Sequence, residues 1–87
     1  MEKIIKNLNI NCEFEINGNT AEASLRDSNH FSKIYSLLDN SNYVEIIEDR
    51  LLINEHVSEI LFDNEECEIK LIGNFDTDMY KCIITKR

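Results

Sequence analysis

Residues 10–25 read INCEFEINGNTAEASL. Apolar and polar side chains alternate on both sides of Asn17-Gly18, and a period of two is typical of strands with one buried face. Asn-Gly is also the pair that a two-residue type I′ turn prefers, because both central residues of that turn need positive φ. The segment therefore predicts a β-hairpin. Since the alternation extends back to Ile4, its first strand is expected over Ile4 to Ile16.

The predicted turn also sets the register of this hairpin. With Asn17 and Gly18 as the loop, three apolar pairs come to one face: Phe14 with Ala21, Cys12 with Ala23, and Ile10 with Leu25. A slip by one residue would send the apolar set of one strand to the other face. The same register places Glu13 opposite Glu22 on the other face, with Glu15 beside them.

One amphipathic helix is predicted over residues 28–39. Asp27, Ser28 and Asn29 are residue types that cap helix N-termini well. Apolar side chains then follow at offsets of 0, 3, 4 and 7, which is one helical face: Phe31, Ile34, Tyr35 and Leu38. Residues 39–42 read DNSN, and these types favour turns and caps over helix interiors, so the helix should end there.

After the helix, β-branched and aromatic residues predict an antiparallel meander of four or five strands. The strand segments are Tyr43 to Glu48, Leu51 to Asn54, Val57 to Phe62, Cys67 to Gly73 and Met79 to Thr85. Residues 54–62 also fit a helical spacing behind an Asn54 cap, although strand is the preferred interpretation. The expected fold is one compact α+β domain over residues 1–87 in the order ββαββββ. The helix should pack on one face of the sheet, leaving the other to water or a partner.

The length of 87 residues allows one hydrophobic core and excludes a second domain. The longest uninterrupted apolar runs are three residues, whereas a membrane-spanning helix needs about 20. The N-terminus breaks its apolar content with charges, unlike a secretory signal. We therefore expect a cytoplasmic protein with no membrane-spanning segment.

Three cysteines without C-x-x-C spacing, Cys12, Cys67 and Cys82, are typical of a reducing compartment rather than a disulfide scaffold. Each alternates in phase with apolar neighbours, so we expect small, reduced, buried side chains. A Cys/His metal site would have to recruit His30 or His56, and no ligand spacing supports one. No metal or other cofactor is expected.

No constellation of residues indicates catalysis. A nucleophilic cysteine needs a base within hydrogen-bond reach, whereas the cysteines are expected mid-strand, His30 in a first helical turn and His56 near a strand end. Phosphate-binding loops need glycine, and only Gly18 and Gly73 are present. Residues 76–78 read DTD but lack the glycine and downstream glutamate of a calcium loop. A binding protein is expected rather than an enzyme.

The charge balance indicates what kind of partner such a protein would bind. Seventeen acidic and nine basic residues leave a net charge of −8. This sign repels nucleic acid and anionic bilayers, so no direct nucleic-acid or membrane binding is expected. A basic protein surface would instead be attracted and steered to a fast encounter. The alternative is that the charge only keeps the protein soluble.

The candidate partner-binding residues are three acidic groups and an apolar anchor. Like charges across a strand pair are unfavourable, so the hairpin acids indicate a face kept acidic for a partner or a tolerated solvated face. The hairpin acids are Glu13, Glu15 and Glu22. A second group is Asp63, Glu65 and Glu66 with Glu68, followed by Asp76 and Asp78 at the next turn. A third group is Glu45, Glu48 and Asp49. Phe75 and Met79 are the candidate anchors.

No family motif is recognisable in the chain. In size, acidity and lack of catalytic motifs it resembles the small inhibitors that phages encode against host nucleases, such as anti-CRISPR and anti-restriction proteins, and the immunity proteins that neutralise toxins. This resemblance covers no particular residues and carries over no site. It implies an inhibitor of a nucleic-acid-binding host enzyme whose carboxylates imitate phosphates in a basic groove. The alternatives are an immunity protein or other stoichiometric binding module, and an oligomeric, for example homodimeric, component of a phage or host complex.

Overall fold

The computed structural model describes residues 1–49 and 56–87, which form two helices and a six-stranded antiparallel sheet. The helices are α1 (Glu2–Leu8) and α2 (Ser28–Asp39), and the strands are β1 (Glu15–Asn17), β2 (Thr20–Leu25), β3 (Glu45–Asp49), β4 (Val57–Asp63), β5 (Cys67–Asn74) and β6 (Met79–Lys86). Within the sheet the order is β1-β2-β6-β5-β4-β3. The predicted α+β class and the ββαββββ order are confirmed, with α1 preceding them.

The helix α1 replaces the first part of the predicted strand, and that prediction was wrong. Ile4 and Leu8 are both buried, and their spacing of four residues suits one face of a helix as well as one face of a strand. Lys6, the one residue at an even position from 4 to 16 that is not apolar, lies on the exposed side of α1. Asn9 ends the helix in the left-handed conformation with φ 58°, and its N–H donates to the carbonyls of Ile5 and Lys6.

The predicted hairpin exists, but its turn lies one residue further along the chain. Asn17 pairs with Thr20, so the two-residue loop is Gly18 and Asn19. Gly18 has a φ of 62°, while neither neighbouring asparagine has positive φ, contrary to the prediction for Asn17. A glycine at the first central position is the preference of a type II′ turn, which has positive φ only there.

The displaced turn shifts the hairpin register by two residues. Glu15, not Glu13, faces Glu22, and Ile16 faces Ala21. A shift by two keeps each side chain on its expected face, since the side-chain period of a strand is two. The chain before Glu15 lies outside the sheet, so three predicted pairs were wrong: Phe14 with Ala21, Cys12 with Ala23, and Ile10 with Leu25.

The meander β3 to β6 is confirmed, and β2 joins it by pairing with β6. Strand was the correct choice for residues 57–62, which lie in β4, whereas the predicted strand Leu51 to Asn54 lies outside the described residues. Buried residues alternate along the four central strands and define the core face: Ala21, Ala23, Leu25, Ser58, Ile60, Phe62, Cys67, Ile69, Leu71, Gly73, Tyr80, Cys82 and Ile84. The other side is called the outer face below.

Side chains of α2 reach the core-face residues. The ring centroid of Phe31 lies 5.7 Å from that of Tyr80, and the ring of Tyr35 lies 6.2 Å from that of Phe62. The helix begins as predicted, because the Asp27 carboxylate accepts the His30 N–H at 2.8 Å. Across the described residues, no helix combines the length and the apolar character that crossing a membrane requires.

Gly73 is a strand residue of β5 that lies beneath two aromatic rings. A Cβ atom there would stand 3.0 Å from Tyr80 Cδ1 and 3.2 Å from Phe31 Cε2. We therefore expect Gly73→Val to lower the free energy of unfolding by about 1–3 kcal/mol, as overpacking of a filled core does. Urea denaturation measures the change, with Ile72→Val on the outer face as the control. A Gly73→Val protein as stable as the wild type would contradict this packing.

Candidate functional site

The middle of the outer face mixes apolar and charged side chains. The strand register arranges them in two rows: Ile83, Lys70 and Leu61 in one, and Lys81, Ile72 and Glu59 in the next. Both lysines have acidic neighbours, since Lys70 Nζ lies 4.0 Å from Glu59 Oε1 and Lys81 Nζ lies 3.8 Å from Glu22 Oε1. Positive charge in the middle is thus compensated, and the excess negative charge lies toward the two sides of the sheet.

On one side, three carboxylates form a row across three strands. Glu45 of β3 faces Asp63 of β4, and Asp63 faces Glu68 of β5. Neighbouring strands lie about 4.8 Å apart, so the row is a closely spaced series of like charges. Within the described residues its one ion pair is with Arg87, whose Nη2 lies 2.8 Å from Asp63 Oδ2. We call Glu45, Asp63 and Glu68 the acidic row.

The turn between β4 and β5 adds further acids beside this row. Asn64 Oδ1 accepts the N–H groups of Glu66 and Cys67, both at 2.8 Å, and so holds the turn in shape. A cavity of about 640 Å³ opens there, lined by Asn42, Tyr43, Glu45, Asp63, Asn64, Glu65 and Arg87. The structure thus brings together two acidic groups that are separate in the sequence, one around residue 45 and one around residues 63–66.

On the opposite side of the sheet, Glu15 and Glu22 are direct cross-strand partners. They line a shallow cavity of about 320 Å³ together with Asn17, Thr20 and Ile83. The like-charge pair expected from the sequence is therefore present, with Glu15 in the place of Glu13. Like charges directly opposite each other are unfavourable, and the nearby Lys81 offsets part of that cost at Glu22.

Glu13 lies away from that pair, in a cleft of about 420 Å³ that it lines with Asn11, Cys12, Ser24, Arg26 and His30. Cys12 Sγ lies 3.5 Å from His30 Nε2. The prediction that Cys12 is a buried mid-strand residue was wrong, because it is half-buried and precedes β1. Cys12 and His30 are a candidate nucleophile and base by residue type, but their separation of 18 residues leaves no signal in the sequence that they are in contact.

The geometry of this cleft does not activate the thiol. His30 Nδ1 accepts the backbone N–H of Arg26 at 3.1 Å, so in a neutral ring Nε2 carries the hydrogen and points it toward sulfur. Burial, with the Arg26 charge, lowers the pKa of His30, and burial raises the pKa of Cys12. Cys12 is therefore a neutral thiol beside the neutral imidazole of His30, rather than the thiolate that acts as a nucleophile.

The lowered pKa of His30 predicts how stability depends on pH. The unfolded chain takes up a proton near pH 6.5, the ordinary value for histidine, while folded His30 resists it. The free energy of unfolding should therefore fall as the pH drops from about 7 through the lower folded pKa. His30→Asn removes this titration and keeps an acceptor near the Arg26 N–H. Urea denaturation at several pH values should show a steeper loss in the wild type, and equal slopes would contradict the prediction.

The two remaining cysteines are fully buried on the core face. Burial raises the pKa of Cys82 to about 12 and also raises that of Cys67. All three cysteines are free thiols. Cys67 and Cys82 match their predicted structural role as small apolar core residues.

The predicted apolar anchors lie around the turn between β5 and β6. Phe75 is 42% exposed, and its ring centroid lies 6.1 Å from Phe31 and 5.4 Å from Tyr80. The ring is thus partly held by the core aromatic residues. Met79 is 66% exposed.

The acids of the same turn do not join the acidic row. Asp76 Oδ1 lies 2.8 Å from His56 Nδ1, and Asp78 occupies a left-handed position with φ 55°. They flank the far end of β5, which by strand geometry is about 20 Å from Asp63. The structure therefore divides the predicted site residues among the acidic row with the adjacent β4–β5 turn that carries Glu65 and Glu66, the Glu15–Glu22 pair, the cleft of Glu13 and the β5–β6 turn.

Among residues 1–49 and 56–87, no group of three or more histidine, cysteine, aspartate or glutamate side chains could hold a metal ion. Comparison with known proteins finds no matching family model, no matching characterised protein and no matching solved structure.

Proposed function

We propose that this chain is a small protein-binding inhibitor that neutralises a nucleic-acid-binding enzyme, of the anti-CRISPR or anti-restriction type. Its outer face would bind the basic groove of the enzyme and imitate the charge of the nucleic acid. The observation that supports this proposal is the acidic row, in which Glu45, Asp63 and Glu68 face one another across three strands.

The strand register makes this row costly for the free protein. Like charges directly opposite each other destabilise a sheet, and one guanidinium, that of Arg87, does not neutralise three carboxylates. The Glu15–Glu22 pair repeats the arrangement on the other side of the sheet. A basic surface placed over the outer face would relieve both, and long-range attraction would speed the encounter.

The β scaffold suits such a role because it holds the charges in place. Carboxylates on paired strands keep a spacing set by backbone hydrogen bonds, so they need little ordering when they bind. In this proposal α2 covers the core face, so the outer face is the binding surface. The half-buried Ile72 and Ile83 between the charges would add apolar contact.

A competition experiment tests this proposal. The protein, immobilised, is used to capture partners from host lysate, and the captured protein is challenged with duplex DNA, with RNA and with sodium chloride. A nucleic-acid-binding partner should be released by nucleic acid and by salt between about 50 and 300 mM, because the electrostatic screening length shortens over this range. A partner that stays bound under both challenges would contradict charge imitation.

One observation favours a second candidate, a stoichiometric module such as an immunity protein that binds through an apolar anchor. Phe75 and Met79 are among the exposed large apolar side chains, and they lie beside the acidic turn at residues 76–78. Binding through them would be indifferent to salt and to competing nucleic acid, and Met79→Ala would weaken it. An oligomeric component would instead self-associate at micromolar concentration, which sedimentation measures directly.

A further inference from the structure

The strand β1 lies at one edge of the sheet and pairs with β2 alone. The segments on both sides of it, residues 9–14 and 18–20, belong to the described part of the chain. Within that part, none of Glu15, Ile16 and Asn17 forms a backbone hydrogen bond outside the hairpin. β1 therefore has an open edge, and an open strand edge can pair with another chain.

The hairpin turn determines which backbone groups of β1 point to this open edge. A two-residue loop closes when the C=O before it accepts the N–H after it, which makes Asn17 and Thr20 a hydrogen-bonded pair. Hydrogen-bonded and non-hydrogen-bonded pairs alternate along antiparallel strands. The next pair, Ile16 with Ala21, is therefore non-hydrogen-bonded, and the N–H and C=O of Ile16 point away from β2.

Apolar side chains continue along the core face up to this edge. The strand register forms one row across five strands, which is Phe62, Ile69, Ile84, Ala21 and Ile16. The first four are buried, whereas Ile16 is 44% exposed. An apolar side chain placed beside Ile16 would lengthen the row and remove apolar surface from water.

We propose that the β1 strands of two copies of this chain pair antiparallel about Ile16 and join the two sheets. Ile16 then faces Ile16 of the second copy, and the N–H of each donates to the C=O of the other. Glu15 faces Asn17 of the second copy in a non-hydrogen-bonded pair, where side chains lie closest. The Asn17 amide can donate to that carboxylate, so the edge is complementary to itself in charge as well as in apolar surface.

Charge and space favour this register over its neighbours. Moving one copy by two residues in one direction sets Glu15 opposite Glu15, a like-charge pair. Moving it the other way sets Ile16 opposite Gly18 and loses the apolar contact. In the proposed register Phe14 comes opposite Gly18, where an added Cβ would have no atom within 4 Å. The space beside Gly18 is thus open to the second copy.

This inference does not rest on the proposed function, because pairing through β1 leaves the outer face of each copy uncovered. β1 is three residues long, so the contact is small. We expect half of the chains to be paired at about 1 mM, the range of a weak, transient interface. An oligomeric component, by contrast, would associate at micromolar concentration.

Sedimentation of the full chain from about 0.01 to 2 mM measures the pairing, and amide hydrogen exchange locates it. Exchange of the Ile16 amide should slow as the concentration rises, while that of the α2 amides stays unchanged. Asn17→Lys sets a lysine opposite Glu15 at two symmetric places and should strengthen pairing about tenfold, whereas Asn17→Glu should weaken it about tenfold. The control Asn7→Lys makes the same charge change on the exposed side of α1 and should have less than a twofold effect.

Three results would overturn the inference. A chain that stays monomeric up to 2 mM does not pair through β1. Self-association that leaves exchange of the Ile16 amide unchanged, or responds equally to Asn17→Lys and Asn17→Glu, uses another surface. Slower exchange at Ile16 only when a captured enzyme is added would mean that the edge takes a different chain. Competition with nucleic acid tests the proposed function separately, so either can fail alone.

Discussion

Changing Glu15, Glu45 and Glu68 together to glutamine should stabilise the free protein and at the same time weaken its binding to a captured partner. Each change removes one member of a like-charge contact, so the free energy of unfolding should rise by about 0.2–1 kcal/mol per contact. None of the three forms an ion pair within the described residues. Binding should weaken about a hundredfold if each carboxylate contributes about 1 kcal/mol, and its salt dependence should flatten.

The opposed signs of these two effects make the experiment informative. If these acids were only solvated, the triple variant would gain stability with no change in binding. If they form the binding face, the variant would gain stability and lose affinity. The matched control is Glu2→Gln with Glu13→Gln and Asp39→Asn, which removes equal charge outside the strands. Urea denaturation and titration calorimetry give the two free energies. Equal loss of affinity in both triple variants would show that net charge, rather than the acidic row and the Glu15–Glu22 pair, attracts the partner.

Phe62→Ala should be among the most destabilising single changes in the chain. Phe62 is fully buried in β4, and its ring lies 6.2 Å from that of Tyr35 in α2. Removing a buried aromatic ring costs about 3–5 kcal/mol, since it leaves a cavity as well as losing apolar burial. This is a large fraction of the roughly 5–15 kcal/mol that stabilises a typical domain.

The matched control for that change is Phe75→Ala, because Phe75 is 42% exposed. Its loss should cost well under half as much, since water already reaches much of the ring. Urea denaturation followed by far-ultraviolet circular dichroism measures both. Similar losses from the two variants would mean that Tyr35 and the β4 core residues do not form the tight contact described above.

Local patterns in the sequence were sufficient for the elements whose periodicity is unambiguous. The spacing of Phe31, Ile34 and Leu38 behind the Asp27 cap fits a helix and not a strand, and α2 is found at the predicted residues. Strict alternation through Cys67, Ile69 and Leu71 likewise predicted β5 and its buried face. In both, a side-chain period determines which residues are buried, and the chain encodes that period directly.

Where the spacing of apolar residues fits more than one secondary structure or register, packing decides which one forms. Ile4 and Leu8 are four residues apart, which fits a strand and a helix equally, and burial of both against the core favours α1. The hairpin register could slip by two residues without moving any side chain to the wrong face. Its pairing of Ile16 with Ala21 therefore could not be read from the alternation alone.

The sequence by itself determined the acidic charge, the two elements named above and which residues of β2 and β5 are buried. Only the tertiary structure decided which acids meet. Glu45, Asp63 and Glu68 lie on three different strands, and Cys12 and His30 lie 18 residues apart in the chain. The physical reason is that periodicity is a local property, whereas strand pairing is a property of the whole sheet and sets which charges become neighbours.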